Sequence, residues 1–264
     1  MPGKCGRLRL RVFHRLRFTA AGAGAVLALA FAVTVPALGL ATDDASQIAG
    51  SLAAMLRAGR TVISDNQDRI NDPSTGDKGL PGKTVLTQAS AIYKRITGID
   101  PSAIDPGSLH GRLIRLQMDS IAEVIDVHQE TLNRLGIGFK GFIPALFSRL
   151  VNEAFGRRAA GVAEMKVTAP PMLLRNPKVR PDAWELDVLQ TKLMSPSWPR
   201  GQAHTAVADK NGVQALRTLI PEYYGSSCLA CHGGPQGEID VTGFPKEGAS
   251  EGDLGGLISI TLYR

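Results

Sequence analysis

The sequence predicts an α+β protein: duplicated helical hairpins in the N-terminal part, then a small antiparallel sheet that carries a cysteine motif. Three observations predict it. A stretch of the chain repeats after 62 residues without a gap, helical periodicity gives way beyond Gly161 to short extended runs, and the final "GGLISITLY" alternates and is rich in β-branched residues.

The chain opens with a leader. Six of the 30 basic residues (Lys4, Arg7, Arg9, Arg11, Arg15 and Arg17) lie in the first 41 positions, where there is no acid, so the remainder holds 24 bases against 24 acids. The net charge of +6 therefore belongs to one end, and the neutral body excludes a nucleic-acid partner bound through a basic surface. An uncharged run from Phe18 to Ala41 follows, interrupted by Pro36, with Gly39 and Ala41 as the small residues of a cleavage site. Residues 1–41 thus have the anatomy of a secretory signal peptide cut after Ala41, which predicts a periplasmic protein. The alternative is an uncleaved leader that anchors the chain in the membrane, since about twenty apolar residues span a bilayer. In both cases the body is exported and Cys5 stays with the leader.

Residues 42–161 are predicted to be helical. "TVISDNQDRINDPSTGDKG" (61–79) aligns with "EVIDVHQETLNRLGIGFKG" (123–141) with seven identities in nineteen positions, including Gln67 with Gln129, Asn71 with Asn133 and Lys78 with Lys140. Two unrelated amphipathic helices would match at apolar positions but not at these polar ones. In the first unit Ile48, Leu52, Leu56, Val62, Ile63 and Ile70 share a helical face, Asp43 and Asp44 are available as caps, and Asn71-Asp72-Pro73 is a stop. In the second, Leu109, Leu113, Leu116, Ile121, Val124, Ile125 and Leu132 form the stripe. Shorter helices are expected near 83–97 and 144–158.

Residues 162–264 are predicted to form the sheet unit. A strand begins it, a proline-punctuated crossing leads to a short helix around Trp184 to Leu193, and Asp209-Lys210-Asn211-Gly212 marks a hairpin turn. The cysteine motif falls in a loop before the last strand.

That motif, Cys228-x-x-Cys231-His232, is the attachment signature of c-type haem in an exported chain. Two thiols on one turn can form thioethers to the two vinyl groups of a porphyrin, and the adjacent imidazole then stands over the iron as proximal ligand. One covalent haem c is predicted, held by Cys228, Cys231 and His232. A zinc site would need further thiolates or imidazoles at ligand spacing, which the sequence does not offer. A dithiol redox pair usually opens a helix, whereas Gly233-Gly234-Pro235 follows here. A cytochrome c′-like bundle would place the motif inside a helix. A single motif argues against multihaem enzymes, and the absence of a nucleophile triad, paired carboxylates or a phosphate loop points away from an enzyme.

"SCLACHGGP" followed by "GDLGGLISITL", together with "RNPKVRPDAWE" (175–185) and "GFKGFIPALFSRLVNEAF" (138–155), resembles a family of bacterial c-type haem proteins with a PAS-like domain, long catalogued as a domain of unknown function. The resemblance implies a PAS-like sheet carrying the haem, helices before it, and a role in redox or diatomic-gas sensing with output through a redox or signalling partner. Some members use a cysteine thiolate as sixth ligand, and the mature chain keeps no third cysteine for that role.

The sixth ligand separates the two functional readings. A sensor module keeps that position vacant or displaceable; the alternative, a periplasmic electron-transfer cytochrome, is six-coordinate in both oxidation states. The mature candidates are His110, His128, His204, Met55, Met118, Met165, Met172 and Met194. His128 is the histidine placed on an apolar stripe and is the predicted second iron ligand, with His110 and His204 read as solvated. Its counterpart in the first repeat is Asn66, so the same position also reads as a buried polar site that an amide or an imidazole can fill.

Overall fold

The computed structural model describes residues 41–263. Residues 1–40, which hold Cys5 and all but the last residue of the expected signal peptide, lie outside the described residues. The architecture is α+β: helices in the first part, then a four-stranded antiparallel sheet.

Helix α1 (Thr42–Asp65) starts directly after Ala41, without a side-chain cap. Asp43 and Asp44, expected as caps, sit instead in its first turn, where the unsatisfied N–H groups favour negative charge. α2 (Gln67–Asn71) and α3 (Gly82–Thr97) complete the first helical unit; α4 (Leu109–Val127), α5 (Gln129–Leu132) and α6 (Pro144–Arg158) follow. α1 ends at Asp65 and α4 at Val127, α2 starts at Gln67 and α5 at Gln129, and α3 starts at Gly82 and α6 at Pro144, the same 62-residue step each time.

The two units are joined by hydrogen bonds that they exchange. Gln67 Nε2 donates to the carbonyl of Ile63 in its own helix (3.1 Å) and to that of Phe142 in the other unit (3.1 Å). Gln129 Nε2 donates to Ile125 (3.1 Å) and across to Leu80 (2.9 Å), the equivalent pair. The backbone N–H of Lys78 reaches Asn133 Oδ1 (2.9 Å), and that of Lys140 reaches Asn71 Oδ1 (3.0 Å). The Lys78 side chain is fully buried; its ammonium donates to the carbonyls of Asp72 and Thr75, and that of Lys140 to Ile70, Asp72 and Ile137. The repeated Gln, Asn and Lys are therefore the groups that satisfy backbone carbonyls and amides where the helices stop, which buried backbone requires.

β1 (Ala163–Thr168), β2 (His204–Lys210), β3 (Val213–Tyr223) and β4 (Leu254–Tyr263) form the sheet in the order β1-β4-β3-β2. The β2–β3 hairpin turns at Asn211 and Gly212, with φ of 54° and 84°, the positive angles that a two-residue turn of this twist needs. Alternation along the strands sends Met165, Leu216, Ile220, Ile258, Ile260 and Leu262 into the cluster shared with the helices. The opposite residues Leu219 and Leu257 meet α7 (Ala183–Val188), its continuing π turn (Leu189–Leu193) and Trp184 and Trp198. One face of the sheet thus rests on the duplicated helices, and the other is covered by the β1–β2 crossing segment. Among the described residues no helix is long and apolar enough to cross a membrane.

Candidate functional site

The cysteine motif lies in the long β3–β4 connection. The base of that connection is pinched by backbone bonds from Tyr224 N to Asp253 O (2.9 Å) and from Gly252 N to Tyr224 O (2.8 Å). Cys228 ends a single 3-10 turn, Ser226–Cys228, and α8 (Leu229–His232) follows at once, so the motif occupies two consecutive helical turns and not an irregular loop. Gly233 stops α8: a Cβ there would stand 2.6 Å from the carbonyl oxygen of Leu229, so only glycine allows the chain to leave this close to the turn. The chain then folds back through a small hairpin around the Ile239–Pro245 bridge, and Gly248 N and Ala249 N donate to the carbonyls of Gly233 (3.1 Å) and His232 (2.8 Å).

This folding brings Cys228, Cys231 and His232 together as half-buried, solvent-reachable side chains, with both thiols free. His232 Nδ1 is 2.8 Å from Glu247 Oε2, and the ring of Tyr224 stacks on the imidazole at 4.8 Å between centroids and 23° between planes. The Tyr224 hydroxyl lies 3.3 Å from the same Nδ1. Nε2 makes no hydrogen bond to the described residues. Gly255 of β4 provides room for the tyrosine, since a Cβ there would fall 2.4 Å from its ring.

Arg175, from the crossing segment, ties the pieces together. Its Nε and Nη2 bond the two oxygens of Glu247 (2.9 and 3.1 Å), Nη1 bonds Asp240 Oδ2 (2.6 Å), and Nη2 also reaches the carbonyl of Cys231 (2.8 Å). The Asp240 carboxylate is fully buried and accepts in addition from the Thr242 amide and hydroxyl (2.7 and 2.6 Å) and the Phe244 amide (3.2 Å).

The charges follow from these contacts. Burial alone would raise the Glu247 pKa, but the bonds from Arg175 and His232 hold it below the ordinary carboxylate value. Burial likewise opposes the charge on Arg175, and Glu247 and Asp240 more than restore it. Asp240 is held well below its usual range against burial by Thr242, Arg175 and two backbone amides. Burial first, and then Glu247, push Tyr224 up to about 12, so its hydroxyl keeps its proton. Burial and Asp240 push the Cys231 thiol up.

His128 belongs to the helical part. It ends α4, with Nδ1 2.7 Å from the carbonyl of Val124 and its ring against Phe142 at 5.3 Å. Asn66 ends α1 and donates to Val62 O at 2.8 Å, the same bond four residues back. The partners of His128 and those of His232 have no member in common. His204 is flanked by Trp184 (6.2 Å) and Trp198 (5.8 Å), and Nε2 of His110 is buried without a partner, so neither histidine is the solvated side chain expected. Met55 and Met165 are buried in the helix–sheet cluster, Met118 packs against it, and Met172 and Met194 are exposed. Among the described residues no group of three or more His, Cys, Asp or Glu is arranged to hold a metal ion.

Sequence reasoning missed Tyr224, Glu247, Arg175, Asp240 and Gly255. Arg175 does open the "RNPKVRPDAWE" stretch and Gly255 the "GGLISITLY" run; Tyr224, Glu247 and Asp240 carry no local signal.

Fold and site define an α+β protein with duplicated helices and a braced C-x-x-C-H turn between its last two strands. The chain belongs to the Tll0287-like family, whose model matches residues 39–262. No curated protein matches the chain, and no solved structure matches it.

Proposed function

We propose that the protein is an exported monohaem c-type cytochrome-like sensor module. Cys228 and Cys231 would hold one haem c through thioethers, and His232 would be its proximal ligand. The observation that carries this reading is the state of His232: Nδ1 is engaged by Glu247, which leaves Nε2, beside two free half-buried thiols, as the nitrogen available to iron. The haem would supply reversible one-electron chemistry and an iron able to bind a diatomic ligand.

The chain's own residues do the rest. Tyr224 fixes the plane of the imidazole, Arg175 holds the turn through the Cys231 carbonyl, and the pinched base of the connection keeps the turn against the sheet. The PAS-like reading is supported by the order β1-β4-β3-β2, which sets the first strand of the unit beside its last. His128 has no part in the site on this reading, because its bond to Val124 reproduces that of Asn66. The periplasmic location rests on the leader sequence.

The test is absorption spectroscopy on protein made in a host with cytochrome c maturation. The denatured chain should keep its haem and give the c-type pyridine haemochrome, and the ferrous form should bind CO. Haem extractable by acid acetone would refute covalent attachment. A ferrous form that ignores CO would turn the assignment toward electron transfer.

A further inference from the structure

We infer that Glu247, braced by Arg175, is a positioning residue for the His232 imidazole and sets a low midpoint potential for the iron it binds. This rests on the haem reading above. Glu247 Oε2 accepts from Nδ1 at 2.8 Å, against 3.3 Å for the Tyr224 hydroxyl, so the carboxylate is the principal partner. A hydrogen bond from Nδ1–H to a carboxylate is charge-assisted and stronger than one to a neutral carbonyl. It fixes the tautomer with Nε2 unprotonated, aligns the ring and raises the basicity of Nε2 as a ligand. A more basic axial ligand favours ferric over ferrous iron and so lowers the potential.

Arg175 gives this pair its geometry. The guanidinium grips both oxygens of Glu247 and is itself fixed by Asp240 and by the Cys231 carbonyl. The carboxylate can therefore neither rotate away from the imidazole nor swing out to solvent. The same contact draws part of the negative charge of Glu247 toward Arg175, which moderates its effect on the ring. Glu247 and Arg175 come from segments 72 residues apart, and the imidazole is oriented where the two meet.

The experiment is an equilibrium redox titration of the full mature chain carrying its haem, in the wild type, Glu247→Gln, Glu247→Asp and Glu238→Gln. Glu238 belongs to the same connection, pairs with Lys246 at 3.1 Å and makes no hydrogen bond to His232, so its replacement removes an equal charge without the hydrogen bond. Glu247→Gln should raise the midpoint potential, Glu247→Asp should restore most of the wild-type value, and Glu238→Gln should move it much less. Arg175→Lys keeps the positive charge but loses the two-pronged grip on Glu247, so the potential should rise part of the way toward that of Glu247→Gln. No shift in Glu247→Gln, an equal shift in Glu238→Gln, or a potential unchanged or lowered in Arg175→Lys overturns the inference. If Glu247→Gln does not mature, Arg175→Lys decides by the same direction. A wild-type chain without the c-type pyridine haemochrome overturns the haem reading itself, which tells the two failures apart.

Discussion

Replacing Gly255 with alanine puts one methyl group where Tyr224 lies. An ideal Cβ at 255 stands 2.4, 2.5 and 2.6 Å from Cε1, Cζ and Cδ1 of the tyrosine ring. Carbon atoms rest in contact at about 3.5–4.0 Å, so the ring or the strand has to retreat by about 1 Å. Neither is free to do so. Tyr224 is 8% exposed, its backbone is bonded to Asp253 and Gly252, and β4 is held to β3 on either side of Gly255, through Leu254 and Gly256. Overpacking of this kind costs about 1–3 kcal/mol, which in a body of this size lowers the melting temperature by roughly 2–4 °C per kcal/mol. The displaced ring is the one stacked on His232, so the haem-loaded variant should also show an altered ferric spectrum. Urea unfolding of the wild type, Gly255→Ala, Tyr224→Ala and the double variant isolates the clash. With the ring removed, the added methyl should cost less than about 0.5 kcal/mol. The reasoning is refuted if Gly255→Ala is as stable as the wild type, or if it costs the same with and without the tyrosine.

Gln67→Ala and Gln129→Ala each remove one bond within a helix and one between the units, and each should cost about 1–2 kcal/mol in urea unfolding; a cost confined to one of them would contradict the exchange of equivalent bonds. His128→Asn installs the side chain that Asn66 already uses, so stability should stay within about 0.5 kcal/mol and the ferric haem spectrum should not change; a shift to high spin would make His128 an iron ligand after all. Asp182 caps α7, and although burial raises its pKa, the Glu185 amide, Arg217 and Lys210 hold it down at about 2, against an ordinary 3.8. Its contribution is therefore complete above about pH 4 and lost as the pH falls through about 2, at most about 2 kcal/mol because a third of the side chain is exposed. Asp182→Asn should flatten that part of the stability–pH curve, and an unchanged slope between pH 4 and pH 2 would count against the assignment.

The fold was legible where local chemistry forces the chain. The starts of α3 and α6 follow from Pro81 and Pro144 and the periodic runs behind them, and the β2–β3 hairpin from Asn211-Gly212. The trio of Cys228, Cys231 and His232 was legible because the motif confines it to five consecutive positions. What surrounds the trio was not. Glu247 follows His232 by 15 residues and Arg175 precedes it by 57, and such contacts are set by where two long connections meet, which no local pattern records. Asp43 and Asp44 were read one turn too early because an acid suits both an N-cap and a first turn. The apolar stripe of α4 placed His128 inward correctly by phase, yet phase cannot show that the ring turns back onto its own helix at Val124.

The helical layer reaches the site through the end of β3. Glu222 projects to the helix side of the sheet and accepts from Arg57 and, at 2.8 Å, from Arg60, both on α1. Two residues later Tyr224 stacks on His232. Glu222 is paired with two guanidiniums at partly buried positions, so it cannot move independently of α1 without losing charge-assisted bonds. A displacement of Tyr224 is therefore passed along a short, fully extended stretch of backbone to the longest helix of the layer, at a point where β3 and β4 also change register, between Glu222 and Tyr223. Gly255 is the residue left out of the pairing at that irregularity, so the bulge lies where β4 makes room for the tyrosine ring. The duplicated helices supply none of the side chains around His232; they hold the end of β3 that leads into Tyr224, and so set how far that ring, and the imidazole beneath it, can shift.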